Sequence, residues 1–561
     1  MIEKIIECVP NFSEGRNMEV INQITQSIEA VEGVKLLDVD PGKATNRTVV
    51  TFVGSPELVI EAAFQAIKKA AEVIDMRNHT GEHPRMGATD VCPFIPISGV
   101  TMEECAAYAA QLGKRVGEEL NIPVFLYEYS ATRPQFKNLA TIRAGEYEGM
   151  AAKFQTAEFT PDFGPKALNA KAGVTAIGAR DFLVAYNANL NTTSVRRANS
   201  VAFDVRENGR ILRKGDPITG EIITDENGEP VRQEGMCKSV KAIGWFIEEY
   251  GIAQVSMNLT NINDTPLHKA FEACCQSASN RGMRVTGSEI VGMVPLKVLT
   301  DAGKYFLEQQ QLSSGVSEAD LIKIAVKTMG LDELTPFDPN KKIIEYQLKE
   351  AQKTTLVDMS LSAFADLTAS EAPAPGGGSI AAYLGSLGAA LSTMVANLSA
   401  HKRGWDARWA EFSAYAEQGQ ALKKHLLRLV DEDTAAFNEV MAAFALPKSN
   451  DIEKKARTAA IQAATKLAVQ VPLETMRLAA QIMPLAEAMV KIGNPNSITD
   501  AGVGAMCARS AVYGAYFNVC INLGSLKDIK FVEAVKQQAN EILHSVLHKE
   551  LEIIALVQAQ L

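Results

Sequence analysis

Two histidines and a glutamate lie close together in the stretch HTGEHPR. His79, Glu82 and His83 follow the H-x-x-E-H order found in one class of zinc peptidases. A zinc pair at this spacing needs a helix that places both histidines on one face. Gly81 inside the motif and Pro84 directly after it disfavour that helix, and no third cluster of metal ligands stands out. We therefore predict that this stretch holds no metal ion.

The same stretch fits acid–base chemistry, because histidine titrates near neutral pH and can both accept and donate a proton. Loops between a helix and a strand, such as this one, often carry the chemistry of α/β proteins. The alternative is a pair of loop histidines held by backbone hydrogen bonds, and the residues alone leave it open. Further polar side chains near predicted strand ends suggest a cleft: Asn11, Ser13, Glu14, Arg16, Asp38, Asp40, Asn46, Arg47, Arg143, Glu146 and Asp162.

A second pair of ionisable groups lies far along the chain, in the helical pattern LVDEDTAAF. Asp431 and Asp433 interrupt an otherwise apolar helical spacing. Because residues two apart on a helix point about 200° apart, at most one of them faces the interior. The segment PGGGS precedes another apolar helix, and the free N–H groups of a helix start attract anions. Close packing of the helix start is the alternative reason for its glycines.

The elements that position these groups change in character along the chain. Residues 1–182 alternate β-type runs with amphipathic helical stretches, residues 183–348 repeat this style, and from residue 359 helical spacing dominates. We predict two α/β subdomains of α+β, ferredoxin-like fold, a linker at 349–358, and an all-α domain at 359–561. Its predicted helices are 379–400, 406–445, 451–471, 474–492, 499–523 and 528–559.

The composition excludes several classes of protein. The 66 acidic residues outnumber the 56 basic ones, and no long basic stripe occurs, so we expect no nucleic-acid partner. The eight cysteines form no C-x-x-C motif and the start lacks a secretory signal, which favours the cytoplasm. The uncharged run before His401 is rich in Ala, Gly and Ser, so we expect a buried or interface helix and no membrane span.

A resemblance to the glutamate formiminotransferase family rests on five segments: ECVPNFSEGRN, LLDVDPGKATNRTVVTFVG, IDMRNHTGEHPRMGATDVCPFIPI, IRAGEYEGM and PDFGP. The helical third resembles the formiminotetrahydrofolate cyclodeaminase family, through APAPGGGSIAAYLGSLGAAL, LVDEDTAAFNEVM and GAYFNVCINL. The order and spacing of these segments resemble the bifunctional family that fuses the two activities. A polar insertion near residues 205–235 is the main departure.

The resemblance implies transfer of the formimino group of N-formimino-L-glutamate to tetrahydrofolate, followed by release of ammonia and ring closure to 5,10-methenyltetrahydrofolate. The family's catalytic histidine corresponds to His83, and its catalytic acid in the helical domain to Asp433. Asp40 is the candidate that orients the histidine ring, with Glu82 as the alternative, and His79 is assigned a supporting role. The candidate ligands of the substrate carboxylates are Arg47, Arg85 and Arg143, because guanidinium pairs with carboxylate through two hydrogen bonds.

The family's folate-binding segment corresponds to Gly164, Pro165, Lys166, Ala167, Leu168, Asn169, Ala170, Lys171, Ala172 and Gly173. Small residues let a flat pterin approach the backbone, and Lys166 and Lys171 are candidates to meet the glutamate tail. A mobile surface loop is the alternative. Tetrahydrofolate is implied as substrate and carrier, without metal or nucleotide, and relatives form homo-oligomers of eight subunits.

Three other functions remain open at the level of sequence. The first is a zinc-dependent hydrolase built on H-x-x-E-H. The second is a folate-binding protein without catalytic activity. The third keeps the fold and the transfer reaction but takes N-formylglutamate as the donor.

Overall fold

The computed structural model describes residues 4–42, 46–81, 84–215, 220–248, 250–349 and 355–561. These residues pack into two compact units. The first unit comprises Met1–Leu296 and Gly330–Lys349, and the second comprises Lys297–Met329 and Glu350–Leu561. The residues 297–329, which the sequence assigned to the second α/β subdomain, therefore pack with the helical unit.

The first subdomain contains a sheet with helices on both faces. Its elements are β1 (Ile5–Cys8), β2 (Asn11–Phe12), α1 (Met18–Glu29), β3 (Lys35–Gly42), β4 (Arg47–Gly54), α2 (Pro56–Val73), β5 (Thr89–Ser98), α3 (Met102–Leu120), β6 (Val124–Glu128), α4 (Leu139–Arg143), α5 (Glu146–Lys153) and β7 (Thr175–Ala179). Helices α1, α2 and α3 lie on one face of the sheet and the short α4 and α5 on the other. Strands β1 and β2 are consecutive segments of one central strand, since both pair with β4 on one side and with β5 on the other. Pro10, which has no backbone N–H to donate, lies between them.

The strand order defines the fold of this subdomain. Strand β3 pairs with β4, β4 with β1 and β2, and these with β5, all antiparallel. Together with α1 and α2 this is the β-α-β-β-α-β arrangement of ferredoxin-like folds. Strands β7 and β6 extend the sheet in parallel beyond β5. The buried apolar faces of α1, α2 and α3 form one core with the sheet.

The second subdomain repeats the arrangement. Its elements are β8 (Val184–Leu190), α6 (Val195–Val205), β9 (Arg210–Ile211), β10 (Arg232–Gln233), β11 (Val240–Ile247), β12 (Ile252–Leu259), α7 (Leu267–Ser279) and β13 (Val285–Val291). The antiparallel order β11-β12-β8-β13 is again ferredoxin-like. The polar insertion forms the two-stranded hairpin of β9 and β10. The prediction of two related α/β subdomains is confirmed.

Residues 296–349 are divided between the units. Helices α8 (Leu296–Gln309) and α9 (Glu318–Met329) form a helical hairpin, and α10 (Pro339–Lys342) and α11 (Ile344–Lys349) follow. Gly303 of α8 lies against the backbone of Leu321, which brings the two helices close together. No β pattern occurs between residues 296 and 329, which explains why this hairpin belongs with helices.

The second unit is helical, as predicted. Its remaining helices are α12 (Leu361–Thr368), α13 (Gly377–Ala400), α14 (Trp409–Ala445), α15 (Asp451–Ala480), α16 (Ile482–Ile492), α17 (Ile498–Leu523) and α18 (Ile529–Gln558). Helix α13 packs against α14 and α17. Gly388 of α13 lies against the backbone oxygen of Gly504 in α17, so small residues allow these helices to approach closely.

Two sequence expectations about these helices had different outcomes. The predicted break at residues 472–473 is wrong, because α15 continues through Pro472 to Ala480. Pro472 is buried between Val471 and Leu473 of the apolar core, and that packing outweighs the lost backbone hydrogen bond. The expectation of a buried helix before His401 is confirmed: α13 is long and apolar enough to span a membrane, with mean hydropathy 1.4, yet 61% of that window is buried within the protein.

Candidate functional sites

The loop that carries HTGEHPR is tied to the segment before β4. Asn46 has a left-handed backbone conformation with φ of 48°. Its Oδ1 accepts a hydrogen bond from the backbone N–H of Gly15 at 3.0 Å, and its Nδ2 donates to the carbonyl oxygen of Thr80 at 2.8 Å. One asparagine thus joins the motifs NFSEGRN, ATNRT and HTGEHPR in space.

His79 is half-buried, and both of its ring nitrogens have protein partners. Its Nε2 lies 2.9 Å from the backbone oxygen of Asn46, and its Nδ1 accepts from Nε of Arg85 at 3.2 Å. Because Arg85 can only donate, the ring hydrogen of neutral His79 is on Nε2. Burial lowers the pKa of His79, and the charge of Arg85 adds to this. The arrangement fits the supporting role and leaves neither ring nitrogen for zinc.

Arg85 is surrounded by acceptors of the protein itself. Its Nη1 donates to Glu146 at 2.8 Å and to Glu148 at 2.9 Å, and its Nη2 donates to Glu148 at 2.7 Å and to the His79 carbonyl at 3.1 Å. With the Nε bond to His79, all five N–H donors are engaged. The role predicted for Arg85 as a substrate ligand therefore does not fit; it anchors the loop.

Glu82 and His83 lie outside the described residues, so the roles assigned to them stay predictions. The segment that flanks them is held on one side through Thr80 and on the other through Arg85. Asp40, the predicted orienting carboxylate, is exposed on the edge strand β3, opposite Val49 of β4. Its assignment also stays a prediction.

Asp90, at the start of β5, is a buried acid that the sequence analysis missed. It has no exposed surface, and its Oδ2 accepts from Arg47 and, at 2.7 Å, from Arg143. Its Oδ1 accepts from the backbone N–H of Met86 at 3.1 Å, directly after Arg85. Two guanidinium groups thus share one carboxylate. The sequence signal was an aspartate at the start of the apolar strand DVCPFIPI.

The two arginines of this cluster differ in the donors that they retain. Arg47 also donates from Nε to Asn11 at 3.1 Å. In Arg143, the buried Nε has no hydrogen-bond partner among the described residues. A buried donor without an acceptor is costly. Of the three predicted arginines, Arg143 is the one in which a guanidinium donor has no partner among the described residues.

If Arg143 binds the donor that the sequence resemblance implies, replacing it with lysine is expected to raise KM for N-formimino-L-glutamate about tenfold with little change in kcat, because an ammonium cannot make the bidentate pair of a guanidinium. Steady-state kinetics of the transfer step would measure this. Arg77→Lys is the matched control, since Arg77 is largely exposed and pairs with Asp75. An unchanged KM in Arg143→Lys would contradict the assignment.

The segment Gly164–Gly173 lies beside the HTGEHPR loop. Backbone hydrogen bonds join Val174 to Met86 at 2.9 Å and Ala88 to Ala172 at 2.8 Å. Gly173, with φ of 74°, lies so close to the carbonyl of Met86 that a Cβ would collide with it. Residue 173 must therefore be glycine because of its contact with the backbone of Met86, whether or not a ligand binds nearby. Lys166 is exposed, whereas Lys171 donates to the carbonyl oxygen of Glu72 at 2.6 Å.

Glu7 is a second buried acid of the same sheet, on β1 between Val53 of β4 and Ile95 of β5. Burial raises the pKa of Glu7 from its ordinary value of 4.5 to about 7, and the charge of Arg180 only partly offsets this. Such a carboxyl keeps its proton in the folded protein under conditions in which the unfolded chain releases it.

We expect this difference to make stability depend on pH. Below pH 4.5 both states of the chain hold the Glu7 proton. As pH rises from 4.5 towards 7 only the unfolded state releases it, so the folded state loses about 3 kcal/mol and then no more. Glu7→Gln should therefore gain stability over the parent protein at pH 8 but not at pH 5, as measured by urea unfolding. Glu103→Gln, an exposed change on α3, should show no such difference; an equal gain at both pH values would contradict the argument.

In the helical unit, Asp433 of α14 lies at the start of α13. Its carboxylate accepts hydrogen bonds from the backbone N–H of Ser379 and from the Ser379 hydroxyl, 3.2 Å away. Any Cβ on Gly378 would collide with this carboxylate. The anion attracted by the PGGGS helix start is thus the side chain of Asp433. Burial raises the pKa of Asp433, although both hydrogen bonds from Ser379 act against it.

Asp431 points elsewhere on the same helix, as the helical geometry predicts. Its Oδ1 accepts from the backbone N–H of Leu356 at 2.7 Å. A cleft of about 410 Å³ is lined by residues of the 355–367 segment together with Asp431 and Thr434. The Thr434 hydroxyl is 3.2 Å from that of Ser379, so this cleft borders the Asp433 cluster.

These two clusters of buried ionisable groups belong to separate units of one chain. The fold and the clusters therefore define a protein with two separate candidate sites, one in the α/β unit and one in the helical unit. Three family models match: the formiminotransferase domain, N-terminal subdomain, at residues 5–180, the formiminotransferase domain at 185–349, and formiminotransferase-cyclodeaminase at 360–541. The chain belongs to the formimidoyltransferase-cyclodeaminase family, a family of bifunctional enzymes.

Relatives match either the whole chain or a part of it. The formimidoyltransferase-cyclodeaminase of Rattus norvegicus is 42% identical over 97% of this chain and 96% of its own length. The glutamate formimidoyltransferase of Streptococcus pyogenes serotype M1 is 43% identical over 54% of this chain and 94% of its own. The methenyltetrahydrofolate cyclohydrolase of Methylorubrum extorquens is 40% identical over 31% of this chain and 84% of its own.

Proposed function

We propose that this chain transfers the formimino group of N-formimino-L-glutamate to tetrahydrofolate at the HTGEHPR loop. The 5-formiminotetrahydrofolate formed is then converted to 5,10-methenyltetrahydrofolate and ammonia at Asp433. The observation that supports this proposal is a separate buried cluster of ionisable groups in each unit, one of His79, Arg85 and Asp90 beside the loop of His83 and one around Asp433.

The transfer step requires one proton to leave and one to arrive. Nitrogen 5 of tetrahydrofolate attacks the formimino carbon and loses a proton, and the amine of glutamate takes one up as its bond to that carbon breaks. An imidazole with a pKa near neutral pH serves both halves, which is the role proposed for His83. Arg143, beside buried Asp90, is proposed to hold a carboxylate of the donor.

The second step closes the ring as nitrogen 10 attacks the formimino carbon and its proton passes to the formimino nitrogen, which then leaves as ammonia. A leaving amine needs a proton, and an acid with a raised pKa can supply it. Asp433 fits because burial raises its pKa and Ser379 fixes its carboxyl group. The bordering cleft of about 410 Å³ offers space for the reacting end of a folate.

Segment 164–173 is proposed to contribute to folate binding, supported by its backbone hydrogen bonds to the loop that carries Arg85 and Met86. We propose that neither reaction uses a metal ion, in agreement with the two occupied ring nitrogens of His79. The chain is further proposed to act in the cytoplasm, in agreement with its free cysteines.

We propose that the chain forms a homo-oligomer, for which the family resemblance implies eight subunits. The surface of the helical unit supports this assembly. Helix α17 exposes an apolar stripe of Val503, Met506, Phe517 and Ile521, of which Ile521 is 77% exposed. A soluble monomer rarely leaves such a stripe uncovered. Mass measurement of the purified protein in solution would test the proposal.

One assay distinguishes the proposed function from its alternatives. Purified protein is given tetrahydrofolate and N-formiminoglutamate, and methenyltetrahydrofolate is followed by absorbance while ammonia is measured separately. Production of both supports the proposal. Folate binding without turnover would favour a folate-binding protein without catalytic activity. Loss of turnover after chelation of metal would favour the zinc-dependent hydrolase. Turnover only with N-formylglutamate would show that the donor is the formyl compound.

A further inference from the structure

A second cleft in the helical unit lies between α13 and α14, away from Asp433. It has a volume of about 450 Å³, which is within the range of small-molecule sites. Its lining includes Thr393, Asn397, His401, Gln420 and Lys423. Thr393 donates to the Ala389 carbonyl and Gln420 to the Gly315 carbonyl, and the ammonium group of Lys423 is the charged donor of the lining.

The walls of this cleft are held in place by the 313–315 segment between α8 and α9. The Ser313 hydroxyl donates to Oδ1 of Asn397 at 2.7 Å, and Nδ2 of Asn397 donates to the Gly315 carbonyl at 2.9 Å. Nε2 of His401 accepts from the backbone N–H of Ser313 at 3.3 Å, so the neutral ring keeps its hydrogen on Nδ1. The polar side chains of Asn397 and His401 are therefore held in fixed positions in the wall of the cleft.

Lys423 is the charged group of this cleft, and no carboxylate among the described residues forms an ion pair with it. The acids on neighbouring turns and helices are engaged elsewhere: Glu417 with Lys304 and the Ser314 hydroxyl, and Glu318 with Lys424. Lys423 is half-buried, and burial lowers its pKa. A half-buried ammonium without a counter-ion is stabilised by a bound anion.

The position of the cleft on α14 relates it to the cleft of Asp431 and Thr434, which borders the Asp433 cluster through the Thr434 hydroxyl. Gln420 and Lys423 of this cleft precede Asp431 and Thr434 of the other cleft by eleven residues each. Eleven residues are about three helical turns, so each pair lies within about 20° on the same face and roughly 16 Å apart. The two clefts are therefore aligned along one stripe of α14.

We propose that the Lys423 cleft binds a glutamate carboxylate, namely the tail of a folate whose reacting end lies at Asp433. This inference rests on the proposed function, because it takes Asp433 as the second site. The tail of folate ends in carboxylates and the reacting ring lies at the opposite end of the molecule, which matches a cationic cleft on the same stripe of α14 as the cleft that borders the Asp433 cluster.

The test uses the full chain and measures ammonia release from two substrates, 5-formiminotetrahydrofolate and its pteroate analogue without glutamate. Lys423→Gln is expected to raise KM about tenfold for the substrate with glutamate, with kcat unchanged, and to leave KM for the analogue unchanged. Lys424→Gln is the matched control, since Lys424 is 70% exposed and pairs with Glu318. It should change neither KM. Binding of free glutamate to both proteins is measured by calorimetry.

The outcomes distinguish the folate tail from free glutamate as the source of the carboxylate, and a failure of this inference from a failure of the proposed function. A rise in KM only for the substrate with glutamate identifies the folate tail. Loss of free-glutamate binding in Lys423→Gln with unchanged KM identifies free glutamate at the same carboxylate site. Equal changes of KM for both substrates, or no difference in KM and in glutamate binding, would overturn the inference. Ammonia release that survives Asp433→Asn would instead overturn the proposed function, whatever Lys423 does.

Discussion

Ammonia release from 5-formiminotetrahydrofolate is expected to fall by about 10²–10⁴-fold when Asp433 is replaced with asparagine, while formimino transfer continues. Asparagine has nearly the same shape and still accepts the hydrogen bonds from Ser379, but it cannot supply a proton. The variant should therefore accumulate 5-formiminotetrahydrofolate. Separate assays of ammonia and of the transferred formimino group measure the two steps.

The surroundings of Asp433 explain why its acid form is available for this step. Ser379 has one hydroxyl hydrogen, and the carbonyl oxygen of Val430 lies 2.8 Å away, closer than the Asp433 carboxyl at 3.2 Å. When the hydrogen points to Val430, a protonated Asp433 can donate to the Ser379 oxygen. Burial raises the pKa of Asp433, so ammonia release should decrease as pH rises through that pKa.

Asp431→Asn provides the matched control on the same helix. Asp431 accepts a backbone hydrogen bond from Leu356 and does not contact Ser379 among the contacts described. The Asp431→Asn variant should retain most of the ammonia release, because the amide oxygen of asparagine still accepts the hydrogen bond from Leu356. Full activity of Asp433→Asn, or equal losses in both variants, would show that Asp433 does not act as the acid.

Much of the helical half follows from its sequence. The apolar spacing predicted its helices, and the divergence of residues two apart predicted that Asp431 and Asp433 would face different surroundings. The meeting of Asp433 with Ser379 was not predictable, because 54 residues separate them and only the packing of α13 against α14 joins them. Pro472 misled the prediction, since local propensity was outweighed by burial.

In the transferase half, residue types indicated the cluster but not the pairing within it. Three arginines fitted a carboxylate equally well in sequence, and only the fold shows that Glu146 and Glu148 occupy Arg85. Asp90 was hidden because a single acid at a strand start is usually a turn residue. The order of the strands and helices, by contrast, follows from the spacing of apolar residues along the chain, which is why two α/β subdomains were predicted.

His83→Ala is expected to lower formimino transfer by about 10²–10⁴-fold and to leave ammonia release from supplied 5-formiminotetrahydrofolate unchanged. The reason is that alanine removes the one group proposed to accept the proton of nitrogen 5 and return one to glutamate. The pH profile of kcat/KM for transfer should lose its limb near neutral pH. His548→Ala is the matched control, since its side chain is 79% exposed on α18.

Rescue by a free base separates a proton-transfer role of His83 from a structural one. Imidazole added to His83→Ala can occupy the space of the missing ring and should restore part of the transfer rate, whereas a collapsed loop would not respond. The loop has anchors of its own, because Arg85 binds Glu146, Glu148 and His79 independently of residue 83. Loss of both activities in a folded His83→Ala variant would contradict the two-site proposal. Loss of transfer without rescue would assign His83 to positioning and move the search for the base to the carboxylates near Arg85.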